Sequence, residues 1–317
     1  MQQPHFLQVL SSASINDGIL GRISMTTGCD DCRDIPKQPD AGKIRDITPW
    51  PAQVMHNGVL VARDGYCGTW MTRIIEQLKG HHEPQEEKVF HEVVSSLQNA
   101  TTMVELGAYW AYYSLWFLQR FPSGRTILVE PDPNFIEIGK FNYSLNGREG
   151  TFVQAAVASQ PAEPSAFRCE SDSVERKIPR ISVDSLVDEF GLDRIDILLA
   201  DIQGAELEML RGLENTLRKR QLSTLFLSTH DQSISGDYLT HEKCLEWIKA
   251  NGGHIIAEHC VEESFSGDGL IAASFDARCK LTVAVSHNRA VNSLFGSPSV
   301  RLAAMAQHIS EGASRRQ

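Results

Sequence analysis

The stretch "ILLADIQGAELEML" (Ile197 to Leu210) is apolar as far as Ala200 and then presents Asp201, Gln203, Gly204, Glu206 and Glu208 before Met209 and Leu210 resume. A carboxylate ending a buried apolar strand costs free energy unless it has a partner or a task, so Asp201 is a candidate functional group. Glu206 falls in the first turn of the next helix, where the macrodipole favours an anion. It reads equally as a capping residue and as part of a site. Other apolar runs end on similar chemistry. "TMVEL" contains Glu105 and is followed by Gly107, "TILVE" ends on Glu130 with Pro131 next, "STLFLST" leads into His230 and Asp231, and the turn "SGDG" carries Asp268.

Gly107 has no side chain to keep a ligand off the backbone. Glu130 follows it at about the ~20-residue spacing at which an acid grips the hydroxyls of a nucleotide ribose. A dinucleotide is disfavoured, because G-x-G-x-x-G is absent: after Gly107 come Ala108, Tyr109, Trp110 and Ala111. Glu105 on the lip of the site would also repel a pyrophosphate. The same charge attracts a cation, and S-adenosylmethionine carries an ammonium and a sulfonium but no phosphate. Glu105, Glu130 and neighbouring rings such as Tyr109 suit it.

Methyl transfer requires an aligned acceptor, exclusion of water and removal of a proton. Asp201, His230 and Asp231 are the candidate bases, with His230 the best by intrinsic pKa. A loop histidine bonded to a carbonyl is its plain alternative. The same three residues could instead hold a divalent ion such as Mg2+ that binds an alkoxide. Base and metal both remain open.

The elements that must position these groups alternate from Thr102 onward. "TMVEL", "TILVE", "TFVQAAVA", "IDILLAD" and "STLFLST" read as strands. Helices follow them at "YYSLWFLQRF", Asn134 to about Leu145, "SVDSLVDEF", "AELEMLRGLENTLRKR" and "HEKCLEWIKANG". "HIIAEHCV" and "GLIAASF" close the series, joined by "ESFSGDG" with no room for a helix. Five parallel β-α units ending in an antiparallel pair predict a doubly wound three-layer α/β/α sandwich. Its ligand site lies at the carboxyl ends of the strands. Before it, residues 1–68 read as an irregular extension that could supply acceptor contacts or a lid. Residues 69–276 form the catalytic unit, and 277–317 a peripheral, partly disordered tail. "TWMTRIIEQLKG" and "PQEEKVFHEVVSSLQN" read as two helices preceding the first strand. His81, His82, Glu83 and Glu86 precede or open the second, which could cover the cofactor; their plainer reading is its N-terminal cap and surface.

Composition excludes other classes. The chain has 317 residues, 42% hydrophobic and 22% charged, and a net charge of −10, which offers no positive field for nucleic acid or an anionic membrane. Arg218-Lys219-Arg220 and Arg315-Arg316 are short, solvated clusters. No run approaches the roughly 18 apolar residues of a membrane span, and "MQQPHFLQVL" lacks the layout of a secretory signal. The seven cysteines are scattered, which fits reduced thiols in a cytoplasmic protein. "CDDC" (Cys29, Cys32) and "HIIAEHC" (His254, His259, Cys260) lack the second matching pair that a zinc site needs. The expected partner is a small-molecule or glycan acceptor, with no nucleic acid and no membrane; homo-oligomerisation stays open.

"MVELGAYWAYYSL", "VEPDPNF", "FNYSLNG" and "IDILLADIQGAELEMLRG" resemble the FkbM family of S-adenosylmethionine-dependent methyltransferases. The resemblance runs from about Val89 to Phe275. It implies a class I, Rossmann-like methyltransferase fold with an antiparallel last strand, acting mostly on hydroxyls of sugars and natural products. Asp201, Gly204, Ala205 and Glu206 match the family's most specific motif, with Gln203 in place of its usual Glu. Glu105, Gly107 and Ala108 match the first motif, where Tyr109 stands for Asn and Ala111 for a second Gly. "GHHEPQEEKVF" resembles a subgroup of bacterial members that carry such an N-terminal extension. These departures keep a binding module on a methyltransferase fold open, and the unread acceptor leaves room for an N-methyltransferase. A nicotinamide oxidoreductase is the remote third.

Overall fold

The structure, a computed structural model, describes residues 16–288 and 302–308. The chain opens with helix α1 (Asp17–Thr27), capped by the Asn16 side chain. Three short antiparallel strands follow, β1 (Ile44–Arg45), β2 (Ala52–Val54) and β3 (Leu60–Ala62). The expectation of an irregular segment over residues 1–68 is therefore corrected from Asn16 onward. Strands of two and three residues are too short for a period-two pattern to register in the sequence. Helices α2 (Thr69–Gln77) and α3 (Pro84–Ser96) come next, with Pro84 in the first turn of α3.

The central sheet begins with β4 (Thr102–Leu106), α4 (Tyr112–Arg120), β5 (Arg125–Val129), α5 (Pro133–Leu145) and β6 (Thr151–Val153). The expected strand "TFVQAAVA" ends at Val153. Ala156–Val157 (β7) leaves the sheet and pairs with β9 (Glu175–Ile181), which also pairs with β8 (Ala162–Arg168). The stretch that showed no pattern in the sequence is thus a projecting hairpin. Its strands are exposed along most of their length, so no apolar alternation marks them.

The second half contains α6 (Val183–Phe190), β10 (Ile195–Ala200), α7 (Glu206–Arg211), α8 (Glu214–Arg218), β11 (Leu222–Thr229), α9 (Gln232–Ser235), α10 (Thr240–Ala250), β12 (His254–His259) and β13 (Gly269–Ser274). The single helix expected after β10 is broken at Gly212, where a Cβ would stand 2.8 Å from the Ala158 carbonyl oxygen. The backbone of the β7 region passes too close for any larger residue.

The seven strands lie in the order β12-β13-β11-β10-β4-β5-β6. All run parallel except β13, which is inserted antiparallel between β11 and β12. Alternate residues of each strand feed opposite cores. Ile197 and Leu199 pack with α3, α4 and α5 through residues such as Phe90, Trp116 and Ile138. Leu198 and Ala200 pack with α6, α7 and α10 through Leu186, Met209 and Ile248. Strands buried on both faces are what helices on both sides of a parallel sheet require. The strand order reverses between β4 and β10, which opens a crevice at their carboxyl ends.

The extensions are fastened to this sandwich. Asn142 on α5 accepts the Ala62 N–H at 2.7 Å and donates to the Trp110 carbonyl at 2.8 Å. One turn on, Asn146 exchanges two hydrogen bonds with the Leu60 backbone, acting as a strand neighbour for β3. Past the sheet, Val283 donates to the Ile256 carbonyl on β12, and Ser286 is held by Asp31 and Gln85. Residues 302–308 are helical. The rest of the tail expected to be disordered lies outside the described residues. Asn142 is fully buried and satisfied at both ends, so Asn142→Ala should leave two backbone groups unpaired and cost about 2–4 kcal/mol. Urea unfolding of the full chain measures this; a loss within the error of the wild-type value would show that β3 is not held through α5.

Candidate active site

A cavity of about 690 Å³ occupies the crevice, reaching the ends of β4, β5 and β10. Glu105 shares the face of β4 that packs under α4 and is buried, and its Oε2 accepts the Ser114 N–H at 3.1 Å. Burial pushes its carboxyl up to about 7 against the pull of the Ser114 bonds. Glu130 is also buried and accepts the Asp132 N–H at 2.9 Å and the Tyr109 N–H at 3.0 Å. Burial again dominates and raises it to about 8. Pro131 follows it on the cavity wall. Each of these carboxylates spends only part of its accepting capacity on the protein.

Gly107 has a different role from the one its sequence position suggests. Its φ is +76°, and a Cβ there would stand 1.7 Å from the Asp201 carbonyl oxygen. The missing side chain makes room for the backbone of the neighbouring strand end and so sets the Asp201 position. Tyr109, Ala111 and Gln203, the three departures from the family motifs, have φ values of 38°, 61° and 46°. All lie in the left-handed region, which costs an L-residue roughly 1–2 kcal/mol and which glycine and asparagine occupy more readily. The backbone path survives the substitutions and stores strain there. Tyr109 is held by stacking on Phe135, with ring centroids 3.6 Å apart.

Asp201 borders the cavity just past β10. Behind it lies His230, 3% exposed, with Nε2 3.1 Å from Asp201 Oδ1 and Nδ1 2.5 Å from Glu206 Oε1. Glu206 is fully buried and also accepts the Gly204 N–H at 2.9 Å. Asp268 Oδ1 stands 3.7 Å from His230 Nε2. Burial opposes a charge on His230, but the hydrogen bonds to Asp201 and Glu206 and the charge of Asp268 outweigh it and raise its pKa well above the usual histidine range. Burial raises Asp268 to about 6, with His230 pulling it down. As an imidazolium, His230 donates from both nitrogens and has no lone pair for a metal or a substrate.

Asp231 does not join this line. Its Oδ1 accepts the N–H and hydroxyl of Ser233 at the start of α9, an N-cap that turns it away from the cavity. The Asp201, His230 and Asp231 metal set is therefore corrected: among the described residues these donors do not converge. The histidines and cysteines of "CDDC" and "HIIAEHC" do not converge either.

The head of α3 is not surface; it borders the cavity, as the reading of a covering helix expects. His81, His82, Glu83 and Glu86 are all buried, and the last three of them line the cavity. His82 Nδ1 bonds Glu87 Oε1 at 2.6 Å, and its Nε2 lies 3.3 Å from Glu83 Oε2. Burial works against its charge, but Glu83 and Glu87 overcome it and lift its pKa to about 10. Tyr66 reaches the cavity from the N-terminal extension, and Phe167, Arg168 and Glu170 reach it from the β8–β9 hairpin. The signal in "HHEPQEE" was its density of histidines and acids, which only burial makes informative.

An open α/β crevice bordered by carboxylates and rings, at the switch point of a sheet with this strand order, defines a class I, Rossmann-like methyltransferase. Residues 98–255 match the family model described as the methyltransferase FkbM domain, and this part of the chain belongs to that S-adenosylmethionine-dependent family. Similar solved structures include a precorrin-6y C5,15-methyltransferase from Geobacter metallireducens, at 17% identity and TM-score 0.39, covering 59% of this chain and 88% of that one. M. capricolum TrmK with S-adenosyl-homocysteine is 16% identical, at TM-score 0.36, covering 70% and 83%. The METTL16 methyltransferase domain is 13% identical, at TM-score 0.41, covering 61% and 68%. No curated protein matches the chain. Among the described residues no helix is long and apolar enough to cross a membrane.

Gly107→Ala should be the most disruptive single-methyl change in the site, because positive φ and the Asp201 carbonyl both exclude it. A melting temperature lowered by at least about 4 °C is expected. An unshifted transition would mean that the β4 and β10 ends are not in contact.

Proposed function

We propose that the cavity binds S-adenosylmethionine and that the enzyme transfers its methyl group to a hydroxyl of a small-molecule or glycan acceptor. When bound, the cofactor supplies an already activated methyl group. The observation that carries the reading is the set of incompletely satisfied carboxylates around one cavity: Glu105 and Glu130, both buried, and Asp201, half-buried with its Oδ1 facing His230. Uncompensated buried carboxylates are stable only when protonated or faced by a cation or by hydroxyl donors. The ligand named here offers both. Glu130 with Pro131 would hold the ribose, Glu105 and Tyr109 the methionine end, and Asp201 would stand between cofactor and acceptor.

On this reading Asp201 orients the acceptor hydroxyl and takes up its proton as the charge on oxygen develops. His230 acts through Asp201: held by Glu206, it fixes the carboxylate's direction. The pair replaces the separate base that His230 alone would have been. Binding of a cation should favour ionised Glu105 and Glu130, so their folded values near 7 and 8 predict proton release on binding. In the ligand-free protein the same raised values stabilise the fold at pH below the ordinary carboxylate range. That contribution is lost as pH rises through about 7 to 8.

S-adenosylmethionine affinity measured by calorimetry should thus strengthen between pH 6 and pH 8.5, with heats that depend on the buffer's ionisation enthalpy. A pH-independent constant would remove both groups from the site. Glu130→Ala should weaken binding at least about tenfold, the loss of one or two charge-assisted bonds. Asp201→Asn should keep most cofactor affinity and lose on the order of a hundredfold in turnover. The opposite pattern, a lower melting temperature with activity per folded molecule kept, would make Asp201 structural.

A further inference from the structure

Behind the cavity wall at His82 lies a second group of side chains with no part in the reading above. His56 sits in the turn between β2 and β3, His81 just before α3, and Glu87 in the first turn of α3. The two imidazoles stack at 4.1 Å with an interplanar angle of 14°. His56 Nδ1 is 3.7 Å from Glu87 Oε2, and His81 Nδ1 contacts the same oxygen. These three donor atoms lie within 4.8 Å of one another, and the three residues are 2%, 0% and 0% exposed. The segments that carry them are locked together. His56 donates its N–H to the Gly80 carbonyl at 3.0 Å, and a Cβ on Gly80 would stand 2.1 Å from the His56 nitrogen.

One feature of this cluster lacks an account in protein hydrogen bonds alone. His81 Nε2 is buried without a partner, which costs about 1–3 kcal/mol. His56 Nδ1 lies 3.0 Å from the Tyr112 hydroxyl. That hydroxyl can donate to a neutral Nδ1 or accept from its N–H, so an ion on Nδ1 would take the place of this bond and leave the Tyr112 oxygen beside it. Glu87 Oε1, by contrast, is well supplied: His82 Nδ1, the His82 N–H and the Glu83 N–H all converge on it.

We propose that His56, His81 and Glu87 form a buried structural site for a divalent transition metal of the zinc type, with the Tyr112 hydroxyl or a water as fourth ligand. Neutral imidazole nitrogens with one carboxylate oxygen suit zinc and not Mg2+. The proton shared by His81 and Glu87 leaves to solvent as the ion enters. An ion between stacked rings would lie off both ring planes, so one ring must turn. His56 is fixed by Tyr112 and by the edge of Trp116 at 4.3 Å, whereas His81 breaks no bond at Nε2 when it turns. His82 stands in the outer shell, bonded to the opposite oxygen of Glu87. The ion would clamp the N-terminal sheet to the helix whose head borders the cavity.

The test uses the full chain, stripped with a chelator and titrated with Zn2+ and, as an optical probe, Co2+. Expected are one ion per chain by elemental analysis, a Zn2+-dependent rise in melting temperature, and Co2+ d–d bands without thiolate charge transfer. His56→Asn should weaken Zn2+ binding at least about tenfold. Should that variant fold poorly, metal content and Co2+ spectrum of the wild type decide. Absence of stoichiometric metal in the wild type overturns the proposal, as does affinity unchanged in both His56→Asn and Glu87→Gln. Thiolate charge transfer also overturns it, by placing the ion on Cys29 and Cys32. None of these readouts depends on methyl transfer.

Discussion

Buried carboxylates need counter-charge, and two histidines meet that need at the end of β10 and at the head of α3. His230 lies between Glu206 and Asp201, and His82 between Glu87 and Glu83. Both are enclosed, and both are pushed toward the imidazolium by the acids around them. Removing a partner from such a group leaves a charge in a low-dielectric interior, at a cost of roughly 3–5 kcal/mol. The two histidines therefore tie β11 to α7 and the turn before α3 to its first turn more strictly than apolar packing would. Apolar contacts tolerate repacking, whereas a donor aimed at a carboxylate oxygen does not.

The same constraint explains the oddity of the stretch after β10. Asp201 ends the strand, Gly204 turns the chain, and Glu206 returns into the core to accept both its own loop's Gly204 N–H and His230. The second acid is neither a surface cap nor a ligand. It is the far end of a carboxylate–imidazolium–carboxylate line whose near end borders the cavity. Gly107 completes the arrangement from the side, since only a residue without a Cβ lets β4 run against the Asp201 carbonyl.

What the sequence disclosed follows from this physics. The fold was legible because strands buried on both faces read as continuous apolar runs and the helices between them carry caps and stops, as at Asp132, Ser182 and Asn146. Asp201, Glu105 and Glu130 were legible because a charge within or ending such a run is out of place. His230 was found as a residue but not as a role, because nothing in "LSTHDQ" reveals that Glu206 lies behind it. Asp231, its neighbour, was grouped with it by adjacency alone, and a two-residue hydrogen bond to Ser233 takes it elsewhere. The burial at the head of α3 was not legible because burial of polar residues is set by what packs over them. The covering parts, the turn at His56 and the strap at Ser286, lie about 25 and 200 residues away in the sequence.

The cavity's walls divide along the boundary of the family match. Residues 98–255 supply the floor and the wall around Glu105, Glu130 and Asp201, together with the β8–β9 hairpin. The opposite wall, at Tyr66, His82, Glu83 and Glu86, comes from sequence before residue 98. Tyr66 lies flat on Trp110, 4.4 Å between ring centroids, and meets His82 edge-on. A molecule entering beside Asp201 therefore touches residues that the family pattern does not describe. It meets acids and an imidazolium whose charges are set by the His82–Glu87 network and not by solvent. β3 is held by Asn142 and Asn146 at α5, and His56 by Gly80, so hydrogen bonds tie the segments behind that wall to the sandwich. The N-terminal extension thus supplies part of the cavity wall.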